Sequence, residues 1–77
     1  GRIDLTRNEH RILQVLLENK GRIVSRDTLM LRLWESDSYV DDNTLTVNMT
    51  RLRKKLEENG LTDFITTKKG SGYLIAD

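Results

Sequence analysis

Residues 43–75 read NTLTVNMTRLRKKLEENGLTDFITTKKGSGYLI, and the change of rhythm inside this stretch decides the fold. Leu45, Met49, Leu52 and Leu56 are spaced by four, three and four residues, which stacks them in one narrow helical stripe. The spacing predicts a helix over about residues 43–58, stopped by Asn59-Gly60. Beyond it the pattern shortens. Phe64-Ile65-Thr66-Thr67 and Tyr73-Leu74-Ile75 are aromatic and β-branched runs of strand length. Between them lies Lys68-Lys69-Gly70-Ser71-Gly72, whose glycines permit the positive φ angles of a hairpin turn.

Towards the N-terminus, two more helices precede this unit. Thr6 and Glu9 have the spacing of a capping box. Ile12, Leu13, Leu16 and Leu17 then offer one broad apolar face, and Asn19-Lys20-Gly21 a basic last turn with a glycine stop, so the first helix is expected over about 7–20. Ser25 is the next N-cap, with Val24 and Leu29 as a hydrophobic staple. Leu29, Met30, Leu33 and Trp34 form the face of a short second helix. Residues 35–43, ESDSYVDDN, read as an acidic loop ending in an N-cap at Asp41 or Asp42. Arg2-Ile3-Asp4-Leu5 is a candidate strand beside the hairpin. The expected fold class is α+β: a winged helix-turn-helix of three helices plus a C-terminal β-hairpin wing, in one domain over residues 1–77.

Composition narrows the function classes. With 77 residues, no Cys and His10 as its one histidine, the chain lacks the disulfide and metal staples on which small domains often rely. No apolar run approaches the ~20 residues needed to span a bilayer, and no signal-peptide pattern is present. A soluble, cytoplasmic chain with no membrane partner is expected. The sequence holds no Ser-His or Cys-His pair, metal-ligand cluster or phosphate loop. The acids of residues 35–42 lack the spacing and turn glycine of a calcium loop. Neither catalysis, metal nor cofactor is expected.

Net charge is only +1, but its distribution is uneven. Residues 1–42 hold seven Lys/Arg against eight Asp/Glu, whereas residues 43–77 hold six against four, and four of those six fall within Arg51–Lys55. An anionic partner should therefore meet this segment. At about 100° per residue, the helix face opposite the leucine stripe carries Asn43, Val47, Thr50, Arg51 and Lys54. Thr46 and Arg53 lie on one flank, and Asn48 and Lys55 on the other. A DNA major groove admits such a helix: Arg51 can donate two hydrogen bonds to guanine, Val47 can meet a thymine methyl, and Arg53 and Lys55 would face phosphates. A solvated face whose cations favour the helix dipole would also carry these residues. Lys68 and Lys69 likewise either keep an edge strand soluble or reach a phosphate or the minor groove. Trp34 is read as a helix-end core aromatic, or as an indole N–H donor to a phosphate if it lies at the surface. A winged helix used for protein contacts through residues 35–42 is the remaining alternative.

The string Leu45-Thr46-Val47-Asn48-Met49-Thr50-Arg51-Leu52-Arg53-Lys54-Lys55-Leu56, with Thr67-Lys68-Lys69-Gly70-Ser71-Gly72-Tyr73, resembles the OmpR/PhoB-type response-regulator effector domain. Leu5-Thr6, Glu9, Val24-Ser25-Arg26 and Leu33-Trp34 extend the resemblance over nearly the whole chain. The acidic loop and the following Asp41–Asn48 stretch look most like the subgroup that answers antimicrobial peptides in Gram-positive bacteria.

The resemblance implies transcriptional control through double-stranded DNA with direct-repeat half-sites. It implies Val47, Thr50 and Arg51 at bases, and Trp34, Asn43, Asn48, Arg53, Lys54, Thr67 and Tyr73 at the backbone, with Lys69 in or beside the minor groove. It implies contact with RNA polymerase through the loop holding Glu35, Asp37, Tyr39 and Asp41. It further implies an upstream receiver domain phosphorylated by a sensor histidine kinase, and an N-terminal sheet of which this chain retains at most the last strand. The isolated domain is expected to be a monomer and the full-length protein a dimer on DNA. The chain departs from many members where Asn43, Thr50 and Lys69 replace arginine, Asn48 replaces histidine and Thr46 replaces aspartate. Fewer guanidinium groups imply a weaker phosphate grip and a different base preference.

Overall fold

Each helix begins where a side chain satisfies its first free amides. The computed structural model describes residues 3–35 and 39–76. Helix α1 spans Arg7–Glu18 behind a reciprocal cap: Glu9 N donates to Thr6 Oγ1 at 3.2 Å and Thr6 N donates to Glu9 Oε1 at 2.9 Å. It stops two residues before the expected end, because Asn19 leaves helical geometry and its side-chain amide bonds the Val15 carbonyl at 2.8 Å. Its last turn is consequently not basic. Helix α2 spans Arg26–Glu35, with Thr28 N donating to Ser25 Oγ at 3.1 Å. Helix α3 spans Asp42–Glu58. Asp41 is its cap, accepting Thr44 N at 2.7 Å, which leaves Asp42 as the first helical residue.

Strands β1 (Ile65–Lys68) and β2 (Gly72–Ile75) form the antiparallel hairpin, with Ile65 opposite Ile75 and Lys68 opposite Gly72. The third edge is not the one expected. Ile3–Leu5 form no strand, and Arg2 lies outside the described residues. The Asp4 carbonyl is drawn to α3 instead, accepting Lys55 Nζ at 3.0 Å. The segment between α1 and α2 takes the place beside β2: Val24 and Tyr73 exchange backbone bonds of 2.8 and 2.9 Å, and Gly21 N donates to the Ile75 carbonyl at 2.8 Å. Gly72 makes this approach possible, since a Cβ there would stand 2.1 Å from the Val24 oxygen. Gly70, at φ +79°, supplies the turn itself and faces open space.

The core gathers one stripe from every element. Leu45, Met49, Leu52 and Leu56 of α3 are all buried, as their spacing requires, against Leu29 and Leu33 of α2 and Ile65, Tyr73 and Ile75 of the hairpin. From α1 the buried set is Ile12, Val15 and Leu16, whereas Leu17 is exposed, so the face is rotated from the expected one. Val24 and Val40 close the core from the connecting segments.

One charge lies inside this shell. Glu9 is only 1% exposed, and its Oε1 accepts Lys55 Nζ at 2.6 Å as well as Thr6 N. Burial pushes its carboxyl pKa up, but the Lys55 hydrogen bond and charge, together with the Thr6 bonds, outweigh that and hold it below the ordinary value. Lys55, expected to face phosphates, is instead an internal fastener between α3 and the start of α1. No described helix is long and apolar enough to cross a membrane.

Gly70→Ala should cost roughly 1–2 kcal/mol in urea unfolding, the strain of a left-handed backbone alone. Gly72→Ala should cost more than that, because the Val24–Tyr73 pair must also part; equal costs would show that the close approach carries no stability. Glu9→Gln should lower stability at neutral pH by about 1–3 kcal/mol. A depressed carboxyl pKa stabilises above the unfolded value and loses that contribution as pH falls through the folded one. Acidification from about pH 5 to about pH 3 should therefore lower the Tm of the parent more than that of Glu9→Gln.

Candidate nucleic-acid interface

Because its leucine stripe is turned inward, α3 presents the opposite side to solvent. Asn43, Thr46, Val47, Thr50, Arg51 and Lys54 are all exposed, and Val47 keeps 40% of its surface accessible. Arg51 and Lys54 make no hydrogen bond or ion pair with any described residue. Two unengaged cations thus follow an exposed apolar spot, one and two turns along the same helix face. Lys69 is exposed at the hairpin tip. A groove of about 390 Å³ between the start of α2 and the wing is lined by Arg26, Lys68, Lys69 and the turn glycines.

Several other residues expected at the DNA backbone are engaged within the chain. Asn48 is buried, and its amide donates to the Thr44 carbonyl at 2.9 Å, one turn back along α3. It therefore does not lie on the open flank where the helical projection set it. The half-exposed Trp34 is not a core aromatic: its Nε1 donates to the Val40 carbonyl at 3.1 Å and its ring stacks on Tyr39 at 6.1 Å. Arg53 turns away from solvent towards the wing. Its Nη2 donates to the Ile65 carbonyl at 3.1 Å and to Thr67 Oγ1, and its guanidinium lies 5.5 Å from the Tyr73 ring centre. Tyr73 is buried and its hydroxyl accepts Arg26 Nη1 at 2.6 Å.

The residues of the α2–α3 connection are divided among different tasks. Glu35 pairs with Arg32 at 3.4 Å, Asp41 caps α3, and Tyr39 is 83% exposed. The Thr44 bonds hold the Asp41 carboxyl below its ordinary pKa. Asp37 lies outside the described residues.

Arg26 carries more of this geometry than its place in the sequence suggests. Its Nε meets Asp42 Oδ1 at 2.9 Å, its Nη2 donates to the Asp42 carbonyl at 2.7 Å and Thr46 Oγ1 at 2.8 Å, and its Nη1 reaches Tyr73. The bond to Asp42 raises its pKa against the opposing effect of burial. The only local sign of this role is its position just after the Ser25 cap.

Three helices followed by a hairpin wing, with the polar face of α3 turned outward, make up an OmpR/PhoB-type DNA-binding output domain. The chain belongs to the family described as transcriptional regulatory protein, C terminal, whose pattern it matches over residues 1–75. It is similar to the sensory transduction protein BceR of Halalkalibacterium halodurans, with 53% identity over 74 residues, covering 96% of this chain and 32% of that protein. The chain thus spans about a third of the length of the curated relatives it matches. In structure it resembles the C-terminal domain of the nisin resistance regulator NsrR, a lantibiotic response regulator, at a TM-score of 0.90 and 47% identity over 100% of this chain and 78% of that one. It also resembles the DNA-binding domain of the response regulator AdeR in complex with an intercistronic region, at a TM-score of 0.84 and 27% identity, covering 97% and 77% of the two chains.

Proposed function

We propose that α3 enters the major groove of a direct-repeat operator and that the wing follows the adjacent backbone or minor groove. The chain acts by binding, not catalysis. The observation that carries this reading is the outward face of α3, where Asn43, Val47, Thr50, Arg51 and Lys54 are exposed while every residue of the leucine stripe is buried. Val47, Thr50 and Arg51 face bases, and Asn43, Lys54, Thr67 and Lys69 face the backbone or minor groove. Arg53 and Tyr73 contribute by holding the wing to α3, and Asn48 is left out of the contact set by its burial.

In the intact protein this domain follows a receiver phosphorylated by a sensor histidine kinase, acts in the cytoplasm, and pairs on DNA while remaining monomeric alone. Similarity to a lantibiotic response regulator supports a signal from peptide antibiotics. The exposed Tyr39, stacked on Trp34, and Glu35 suit the α2–α3 connection to RNA polymerase.

Selection of random duplexes at near-physiological salt should recover a motif repeated about one helical turn apart. Arg51→Ala should cost about 1–3 kcal/mol on that motif and relax preference at one base pair. Lys54→Ala should weaken motif and random duplex alike and reduce the salt slope by about one unit. Equal losses on both duplexes for Arg51→Ala would remove it from base reading, and an absence of salt-sensitive binding would favour a protein-contact role.

A further inference from the structure

The buried stripe of α3 sets which side faces out, but four leucine-like contacts along one line leave a helix free to rock about that line. What opposes rocking must act off the stripe. Lys55 does so towards α1, through Glu9 and Asp4, and two arginines do so towards α2 and the wing. Arg53 ties the C-terminal half of α3 to Ile65 and Thr67 of β1. Arg26 ties the first turn of α3, through Asp42 and Thr46, to α2 and to Tyr73 of β2. The two attachments are about 10–16 Å apart along the helix, at about 1.5 Å per residue. Tyr73 serves both, with guanidinium carbons 6.0 and 5.5 Å from its ring centre.

We propose that Arg26 is a positioning residue for DNA recognition, fixing the N-terminal end of α3 against the wing so that Asn43 and Val47 are presented in register. The proposal rests on the major-groove reading of α3. Arg26 does this through its planar fork, which serves acceptors on two elements from one rigid group; a lysine ammonium is a point charge and cannot span them. Its side chain is 29% exposed, whereas Asp42 is 74% exposed, so the arginine is the enclosed member of the pair. The acid at the head of α3 would repel phosphates unless held to a cation, and Arg26 holds it. Since Arg53 also has its own bonds to Ile65 and Thr67, loosening Arg26 affects the Asn43–Val47 end more than the Arg51 end.

The test compares motif selection and affinity for the parent, Arg26→Lys and Asp42→Ala, with Val47→Ala and Arg51→Ala marking which base pairs each end reads. Backbone NMR spectra establish that each variant is folded. Arg26→Lys, which keeps the charge, should lower the ratio of motif to random affinity roughly tenfold. The positions it blurs should be those blurred by Val47→Ala, while the Arg51 position keeps its preference. Asp42→Ala removes an acid and should raise random-duplex affinity, yet blur the same positions. An unchanged motif in both variants overturns the role of Arg26 and leaves the DNA reading standing. Near-parental behaviour of Arg26→Lys, with Arg26→Met losing motif and random affinity equally and about one unit of salt slope, identifies a phosphate contact and overturns positioning. A parent protein that binds no DNA removes the reading itself and this role with it.

Discussion

The paired backbone bonds between Val24 and Tyr73 exist because residue 72 has no side chain, and much of the functional geometry hangs from them. They press β2 against the segment leading into α2, which brings the Tyr73 ring under the start of that helix. There its hydroxyl meets Arg26, and two guanidinium groups lie within 6.0 Å of its ring centre. One of them, Arg26, runs on to the start of α3, and the other, Arg53, springs from the C-terminal half of that helix. A glycine in the wing thus bears on the attitude of a helix that it does not touch in sequence. The same chain of contacts explains why Arg53 and Tyr73 are turned inward although they flank the exposed surface.

A domain of 77 residues has little room to secure its parts by apolar burial alone. Its core is a single cluster to which every helix and both strands contribute. Polar fasteners supplement it at the margins: Glu9 with Lys55, Arg26 with Asp42, and Arg32 with Glu18 across α1 and α2. The exposed ones add little to stability in water, but they constrain orientation, which apolar contacts do poorly. This division leaves the face of α3 carrying Arg51 and Lys54 without any structural duty among the described residues. A surface of that kind is available for a partner.

Features governed by nearest-neighbour rules along the chain were legible from sequence. The Thr6–Glu9 cap, the Ser25 cap and the α3 stripe depend on residues three or four apart, so spacing suffices to read them. The outward face of α3 followed from the stripe. What spacing could not convey was competition between partners. Helical projection sets Lys55 and Asn48 on a flank of α3, but a buried carboxylate claims the first and a carbonyl one turn back claims the second. Leu17 and Val15 of α1 are both apolar, and only the docking of β2 and the other helices decides which is buried. Arg26 was invisible for the same reason, since its partners lie 16 to 47 residues away. The third strand was misplaced because the partners of Asp4 and Val24, on α3 and β2, lie 51 and 49 residues away, where no local pattern records them.

Glu9 belongs at once to the shortest-range and one of the longest-range contacts in the molecule. Its carboxylate completes the first turn of α1 and receives Lys55 from near the end of α3, 46 residues on. An α1 helix formed on its own would have to leave that carboxylate in water, since without the ammonium its enclosure is unfavourable. Secondary structure at the chain's beginning is therefore completed only when its third helix arrives. Such an arrangement discourages partly folded forms and favours all-or-none folding. It also means that changes at residues 9 and 55 will not add, and that sequence drift at one position is constrained by the other.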